Sequence, residues 1–171
     1  MKHFLSIIII ILFFACGNNK ENSNEEPTSQ AGKVYTPVQL NEGITALENG
    51  LEEPMLKAEA EIKVRSGNNN MAGVVQSAKA MEDSIQVRID AINKMSPVGK
   101  GGEDYKIVAA RYFEYLKSIY TTYREIAEAK DENGRVEKSN KMQSIMNAQN
   151  AVLSNLQQAQ QKYAADNGFV Y

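Results

Sequence analysis

The 171-residue sequence has no tryptophan, one cysteine (Cys16) and one histidine (His3), so both of those reactive side chains lie in its first sixteen positions. Histidine is the most frequent general acid or base and the commonest metal ligand. Beyond residue 3, its absence excludes Ser-His-Asp and Cys-His arrangements, zinc sites built on His or Cys, and the Glu-x-x-His di-iron motif of helical bundles. Paired carboxylates, a Lys or Tyr nucleophile and a carboxylate calcium site are the chemistries left, and no motif signals any of them. The reading is therefore non-enzymatic, with no cofactor and no metal. Excess positive charge is lacking too: 19 Lys and Arg stand against 21 Asp and Glu, which leaves no basic footprint for nucleic acid. Long apolar runs are scarce. The one present covers residues 4–15, well short of the roughly 20 apolar residues that span a bilayer.

That run follows Lys2 and His3 and has the length of a signal-peptide h-region. A lone cysteine in an exported chain cannot close an internal disulfide, so it is free, paired between chains, or modified. Phe13-Phe14-Ala15-Cys16 resembles the lipobox of bacterial lipoproteins, in which a small residue precedes an invariant cysteine. Phe14 departs from the small or short aliphatic residue usual at its position. The resemblance implies that residues 1–15 are cut away, that the Cys16 thiol takes a diacylglycerol, and that the new amino terminus is acylated. Two or three chains hold a protein stably where one holds it marginally. An ordinary secretory signal with an incidental cysteine is the alternative. Loss of residues 1–15 leaves 18 basic and 21 acidic side chains, a formal charge of −3.

Residues 16–35 then read as a lipidated cysteine and a disordered tether. The stretch "GNNKENSNEEPTSQAGKVY" is poor in apolar residues and cannot bury enough surface to offset its ordering entropy. At 5 to 6 Å × √n it would hold a domain on the order of 25 Å from the bilayer. Lys20-Glu21 and Glu25-Glu26 resemble the acidic tract that accompanies export to the outer face in Bacteroidetes lipoproteins, and a plain solvated linker accounts for them equally. The expected location is the cell envelope, anchored to the outer membrane, with periplasmic and surface faces both open.

From residue 36 to 171 the pattern is helical. Thr36-Pro37-Val38-Gln39 fits a capping box with proline at the first helical position. Leu40, Ile44, Leu47, Leu51, Met55, Ala58 and Ile62 follow at spacings of three and four, one apolar face of a first helix. Pro54 should kink or split it near Gly50. After "RSGNNN", with Asn69 or Asn70 as a cap, a second helix carries Met71, Val74, Ala78, Met81, Ile85, Ile89 and Ile92. The longest loop, "MSPVGKGG", precedes a third helix opening with Glu103 and Asp104 at the favourable end of its dipole. "DENG" is the next turn, with Gly134 read as a left-handed helix stop. A fourth helix carries Met142, Ile145, Gln149, Val152, Leu156, Ala159 and Tyr163 and ends at Asn167-Gly168, with Phe169 and Tyr171 folding back. No strand pattern competes. The expected fold is all-α, an antiparallel up-down four-helix bundle.

Several features raise a functional question. The third helix places Tyr105, Tyr112, Phe113, Tyr115, Tyr120 and Tyr123 within five turns. These aromatics either fill a wide core with hydroxyls reaching the rim, or leave a band of Tyr112, Phe113, Tyr120 and Tyr123 exposed to a partner helix or sugar chain. Gln149 with Asn147 and Asn150 puts polarity at a core position, a device that fixes register. Glu48, Glu52, Glu53, Glu59 and Glu61 make the first helix acidic, which reads as a solvated face before a cation site. The methionines suggest an adaptable core or groove. Asp83-Ser84-Ile85 resembles the short O-glycosylation acceptor of Bacteroidetes envelope proteins.

Through "ARYFEYLKSIY" and "QQAQQKYAADNGFVY" most of residues 36–171, taken with the lipobox, resembles the small helical surface-lipoprotein families of Bacteroidetes and spirochaetes. The resemblance implies fold and location and carries no catalytic residues. The expected function is a lipid-anchored binding or structural module with a protein partner in the envelope or outside the cell. A small-ligand carrier with a Tyr- and Met-lined cavity between helices is the other reading.

Overall fold

The computed structural model describes residues 34–171. The apolar run, Cys16 and the expected tether up to residue 33 lie outside the described residues. Six helical segments and two short strands follow in the order β1 (Val34–Tyr35), α1 (Pro37–Asn49), α2 (Glu52–Gly67), α3 (Met71–Lys94), β2 (Ser96–Pro97), α4 (Gly102–Glu128), α5 (Glu132–Asn147) and α6 (Gln149–Asn167). The described protein is thus mostly helical, a helical bundle. No helix in it is long and apolar enough to cross a membrane.

The helix starts follow from local chemistry. The Gln39 N–H donates to Thr36 Oγ1 at 3.3 Å and the Thr36 N–H donates to Gln39 Oε1 at 3.2 Å, closing the expected capping box. Asn70, not Asn69, caps α3, accepting from the Gly73 N–H at 3.0 Å. Asp131 caps α5 through the Gly134 N–H at 2.8 Å. Gly134 is therefore a donor inside the first turn of α5 and not a left-handed stop, a correction to the sequence reading. Gly168, at φ 69°, does end α6 in the left-handed region, and the Phe169 N–H then reaches the Ala164 carbonyl at 3.2 Å.

Two of the four expected helices are broken, the first where Pro54 led the sequence to expect it and the last without such a signal. The first divides between α1 and α2, where Pro54 has no N–H to give the Gly50 carbonyl. Leu51 bonds instead to Glu48 O at 2.9 Å, which also frees the Leu47 carbonyl. Arg88 on α3 supplies both missing donors: Nη2 donates to Gly50 O at 2.9 Å and Nε to Leu47 O at 3.2 Å. The last helix divides at Ala148, whose N–H bonds to Ile145 O at 3.1 Å, one residue short of α-helical spacing. No proline or glycine stands at that break.

The core runs along α3 and α4, which share the largest interface. α2 packs on α3, α5 and α6 pack on α4, and α1 meets α6. Arg124 on α4 grips Glu82 on α3 through Nε and Nη2 at 2.7 and 3.3 Å. Met55, Met81, Met95 and Met142 are buried in it. One strand pairing corrects the expectation of none: Val34–Tyr35 lies parallel to Ser96–Pro97. These two residues of the expected tether are therefore part of the fold.

Candidate functional site

The tyrosine-rich helix is α4, and its rings pack inward. Phe113 and Tyr120 have no exposed surface, Tyr112 is buried, and Tyr123 is half-buried against the same core. An exposed aromatic band at these four positions is thereby corrected: the rings fill the space between α4 and its neighbours, where their apolar area is removed from water. Phe113 meets Tyr112 edge-on at 5.5 Å. Tyr105 stacks on Tyr163 of α6 at 5.1 Å, and Phe169 closes over Tyr163 at 5.8 Å.

Burying phenols obliges their hydroxyls to find partners. The structure sets three polar stations on α1 and α2 against them, and pairs them unequally. Tyr105 donates to Asn41 Oδ1 at 3.2 Å, and Gln160 Nε2 donates to the same oxygen at 2.8 Å. Tyr112 faces the Glu48 carboxylate. Tyr120 and Tyr123 face Glu59. Burial pushes the Glu48 carboxyl above the usual carboxylate range, partly offset by the Tyr112 hydroxyl, and burial alone raises Glu59. Burial also raises every one of these phenols, Tyr123 up to about 12, so they stay protonated. Tyr115 and Tyr120 keep buried hydroxyls that no described group pairs.

Together these contacts form a ladder beside α4, with Glu48 on α1 and Glu59 on α2 standing on either side of the Gly50–Leu51 break, each against its own tyrosines. Protonated phenols are poor nucleophiles. Among the described residues, no group of three or more His, Cys, Asp or Glu side chains is placed to hold a metal ion.

Other sequence candidates fall elsewhere. Gln149 is half-buried at the Ala148 break while Asn147 and Asn150 are exposed, so this polarity marks a break and not a core layer. Ser84 is half-buried and its hydroxyl accepts from Arg88 Nη1 at 2.9 Å, which engages the serine of the supposed acceptor tripeptide in the Arg88 clamp. Asn41 and Arg88 carry more of the architecture than the sequence reading assigned them. Asn41, Ile44 and Glu48 are spaced three and four apart, a signal that a polar edge borders the apolar stripe.

Two clefts flank α4. One of about 410 Å3 is open and of mixed polarity, bounded by Gln86, Asn93, Glu114, Lys117, Thr121 and Lys141 among others. The other, about 200 Å3, lies between α4 and α6 over Tyr105, Val108, Ala159 and Tyr163. Neither is lined by methionine. Against known proteins the chain is without a counterpart at this level: no family model matches it, nor does any curated protein or solved structure.

Proposed function

We propose that this protein is a lipid-anchored envelope protein whose bundle acts as a non-enzymatic binding or structural module. In this reading residues 1–15 are a discarded signal peptide, Cys16 carries the lipid, residues 17–33 tether the domain, and the partner is another envelope or external protein. The observation that carries it is Cys16 itself, the sole cysteine, set directly behind a twelve-residue apolar run that ends at Ala15.

The bundle of this proposal is antiparallel and up-down. Cross-helix pairs support that order: Gly50 with Arg88 and Glu61 with Ser77 between the first and second helices, and Glu82 with Arg124 and Gln86 with Lys117 between the second and third, ascend on one helix as they descend on the other. Asn41 with Tyr105 and Glu48 with Tyr112 ascend together, as first and third helices of such a bundle do.

The anchor is tested by Cys16→Ser. Metabolic lipid labelling should vanish and the protein should leave the membrane fraction; continued membrane association of the variant overturns the anchor. Cross-linked pull-down of the wild-type chain from intact envelopes identifies the partner. The carrier reading draws on the cleft over the Tyr105–Tyr163 stack, but about 200 Å3 is below the 300 to 1,000 Å3 of ordinary ligand pockets. A saturable thermal shift with a small apolar ligand, abolished by Ala159→Phe, would favour it.

A further inference from the structure

Of ten large apolar side chains that stand exposed among the described residues, five belong to one end of the bundle: Val34, Val38, Val98, Val170 and Tyr171. The others are spread over α2, α3, α4 and α5, the ordinary scatter of surface residues. Hydrogen bonds join the segments that carry Val34 and Val98 to the end of α6, which Val170 and Tyr171 follow, and Val38 stands in the first turn of α1 beside them in sequence. β1 holds Val34 beside Ser96, and the Val98 N–H donates to Tyr35 O at 3.0 Å. Tyr163 Oη donates to Val98 O at 3.2 Å, and Asn167 Nδ2 to Lys100 O at 2.9 Å. Gly99, at φ 97°, lets the loop pass so close that a side chain there would strike both Asn167 and Pro37. Val170 is 98% exposed and Val34 58%. A folded domain leaves such a cluster in water only at a cost in apolar hydration.

We propose that this end of the bundle docks on a lipid bilayer, its valines and Tyr171 entering the headgroup region. The inference rests on the lipid-anchor reading, because the chain enters the fold here: Val34 follows Cys16 by eighteen residues, and an anchor there brings this end, ahead of the distal one, to the membrane. The local charge favours a neutral surface. Asp166 accepts from both Lys100, at 3.1 Å, and Lys162, at 2.6 Å, Asp104 lies near enough to Lys162 to act on it, and Lys106 pairs with Glu103 at 2.9 Å, three cations against three carboxylates. Apolar side chains ringed by paired charges suit the interface of a zwitterionic bilayer, whereas attachment to anionic lipid uses unpaired cations.

The test separates docking from anchoring. A Cys16→Ser chain, with a hexahistidine tag replacing residues 1–15, is held on phosphatidylcholine–phosphatidylethanolamine vesicles by a nickel-chelating lipid. It has no other thiol, so Val170→Cys or Val136→Cys takes a single polarity-sensitive fluorophore; Val136 lies on α5 and is exposed. Docking predicts about a twofold or greater rise in emission at position 170 on vesicle binding, little change at 136, and persistence in high salt. Adding Val98→Lys and Val38→Lys should remove the rise. No change at 170, equal changes at both sites, or loss in high salt overturns the proposal. So does a response only to added envelope proteins, which reassigns the face to a protein partner. Failure of the natural anchor appears independently, as absent lipid labelling of the Cys16 chain.

Discussion

The first and last arms of this bundle are both broken near their middles, and the two breaks are held differently. At Gly50–Leu51 the break is covalent in origin: Pro54 removes a donor, and two carbonyls are met by Arg88 from another helix. Leu51 itself is 1% exposed, driven into the core by the turn. At Ala148 there is no proline, the residue is exposed, and no side chain from another element donates at the break among the described residues. Gly50 is itself exposed, whereas the Arg88 bond to the Leu47 carbonyl is part-buried, so the clamp matters most at Leu47; an unpaired buried carbonyl costs about 1 to 3 kcal/mol. At Ala148 water is available and no clamp is needed. The arms follow suit. α5 and α6 bury Met142, Leu156, Tyr163 and Ala164, while α1 and α2 bury Leu40, Asn41, Ile44, Met55, Ala58 and Ile62.

Cutting into each break gives the largest expected contrast. Leu51→Ala should lower stability by about 3 kcal/mol through lost burial and the cavity left behind. Leu153→Ala, five residues beyond Ala148 and only half-buried, should cost about 1 kcal/mol. Urea unfolding of the two variants measures both, and equal losses would abolish the distinction. Next in size is the clamp. Arg88→Met should cost about 2 kcal/mol by stranding the Leu47 and Gly50 carbonyls. Pro54→Ala returns an N–H to the Gly50 carbonyl, so the same Arg88→Met change should cost about 1 kcal/mol less in that background. Additive losses in this double-mutant cycle would show that Arg88 acts through packing and not through the break.

The same pair of breaks shows what the sequence made legible. Pro54 is visible in one dimension, and so was the split near Gly50. The donor that completes it is not visible, because Arg88 is 38 residues away from Gly50 and looks like any surface arginine on an amphipathic helix. The Ala148 break has no residue signature at all; only Asn147, Gln149 and Asn150 around it hinted at something, and they were read as a polar core layer. Helix number, caps and apolar faces were legible because they rest on spacings of three and four and on side chains bonding within one turn. The two-residue strand pair was not, since it depends on where residues 34–35 meet 96–97. The tyrosines posed a different difficulty. A row with five tyrosines and one phenylalanine on one helix exceeds a single stripe, and periodicity cannot say whether the surplus faces solvent or a third neighbour. Here α4 is contacted by α1, α3, α5 and α6, so even Phe113 and Tyr120 find cover.

The smallest expected effect is a pH dependence that distinguishes the arms. On the first arm Glu59 sits against Tyr120 and Tyr123, and burial raises its folded value above the ordinary 4.5. A raised carboxyl favours its protonated form in the folded state. Its contribution is fully present below the unfolded value and is lost as pH rises through the folded one. On the last arm Asp166, bonded by Lys162 and Lys100, is lowered, so its contribution is present above its unfolded value and is lost as pH falls. Glu59→Gln should therefore raise the Tm more at about pH 7.5 than at about pH 4, and Asp166→Asn should lower it more at about pH 7.5 than at about pH 2, below both of that group's values. Opposite signs at neutral pH and convergence toward wild type in acid are the expected pattern. If Glu59→Gln destabilises at neutral pH, its carboxylate is held charged by the tyrosine hydroxyls, and the ladder along α4 stabilises charge instead of merely housing it.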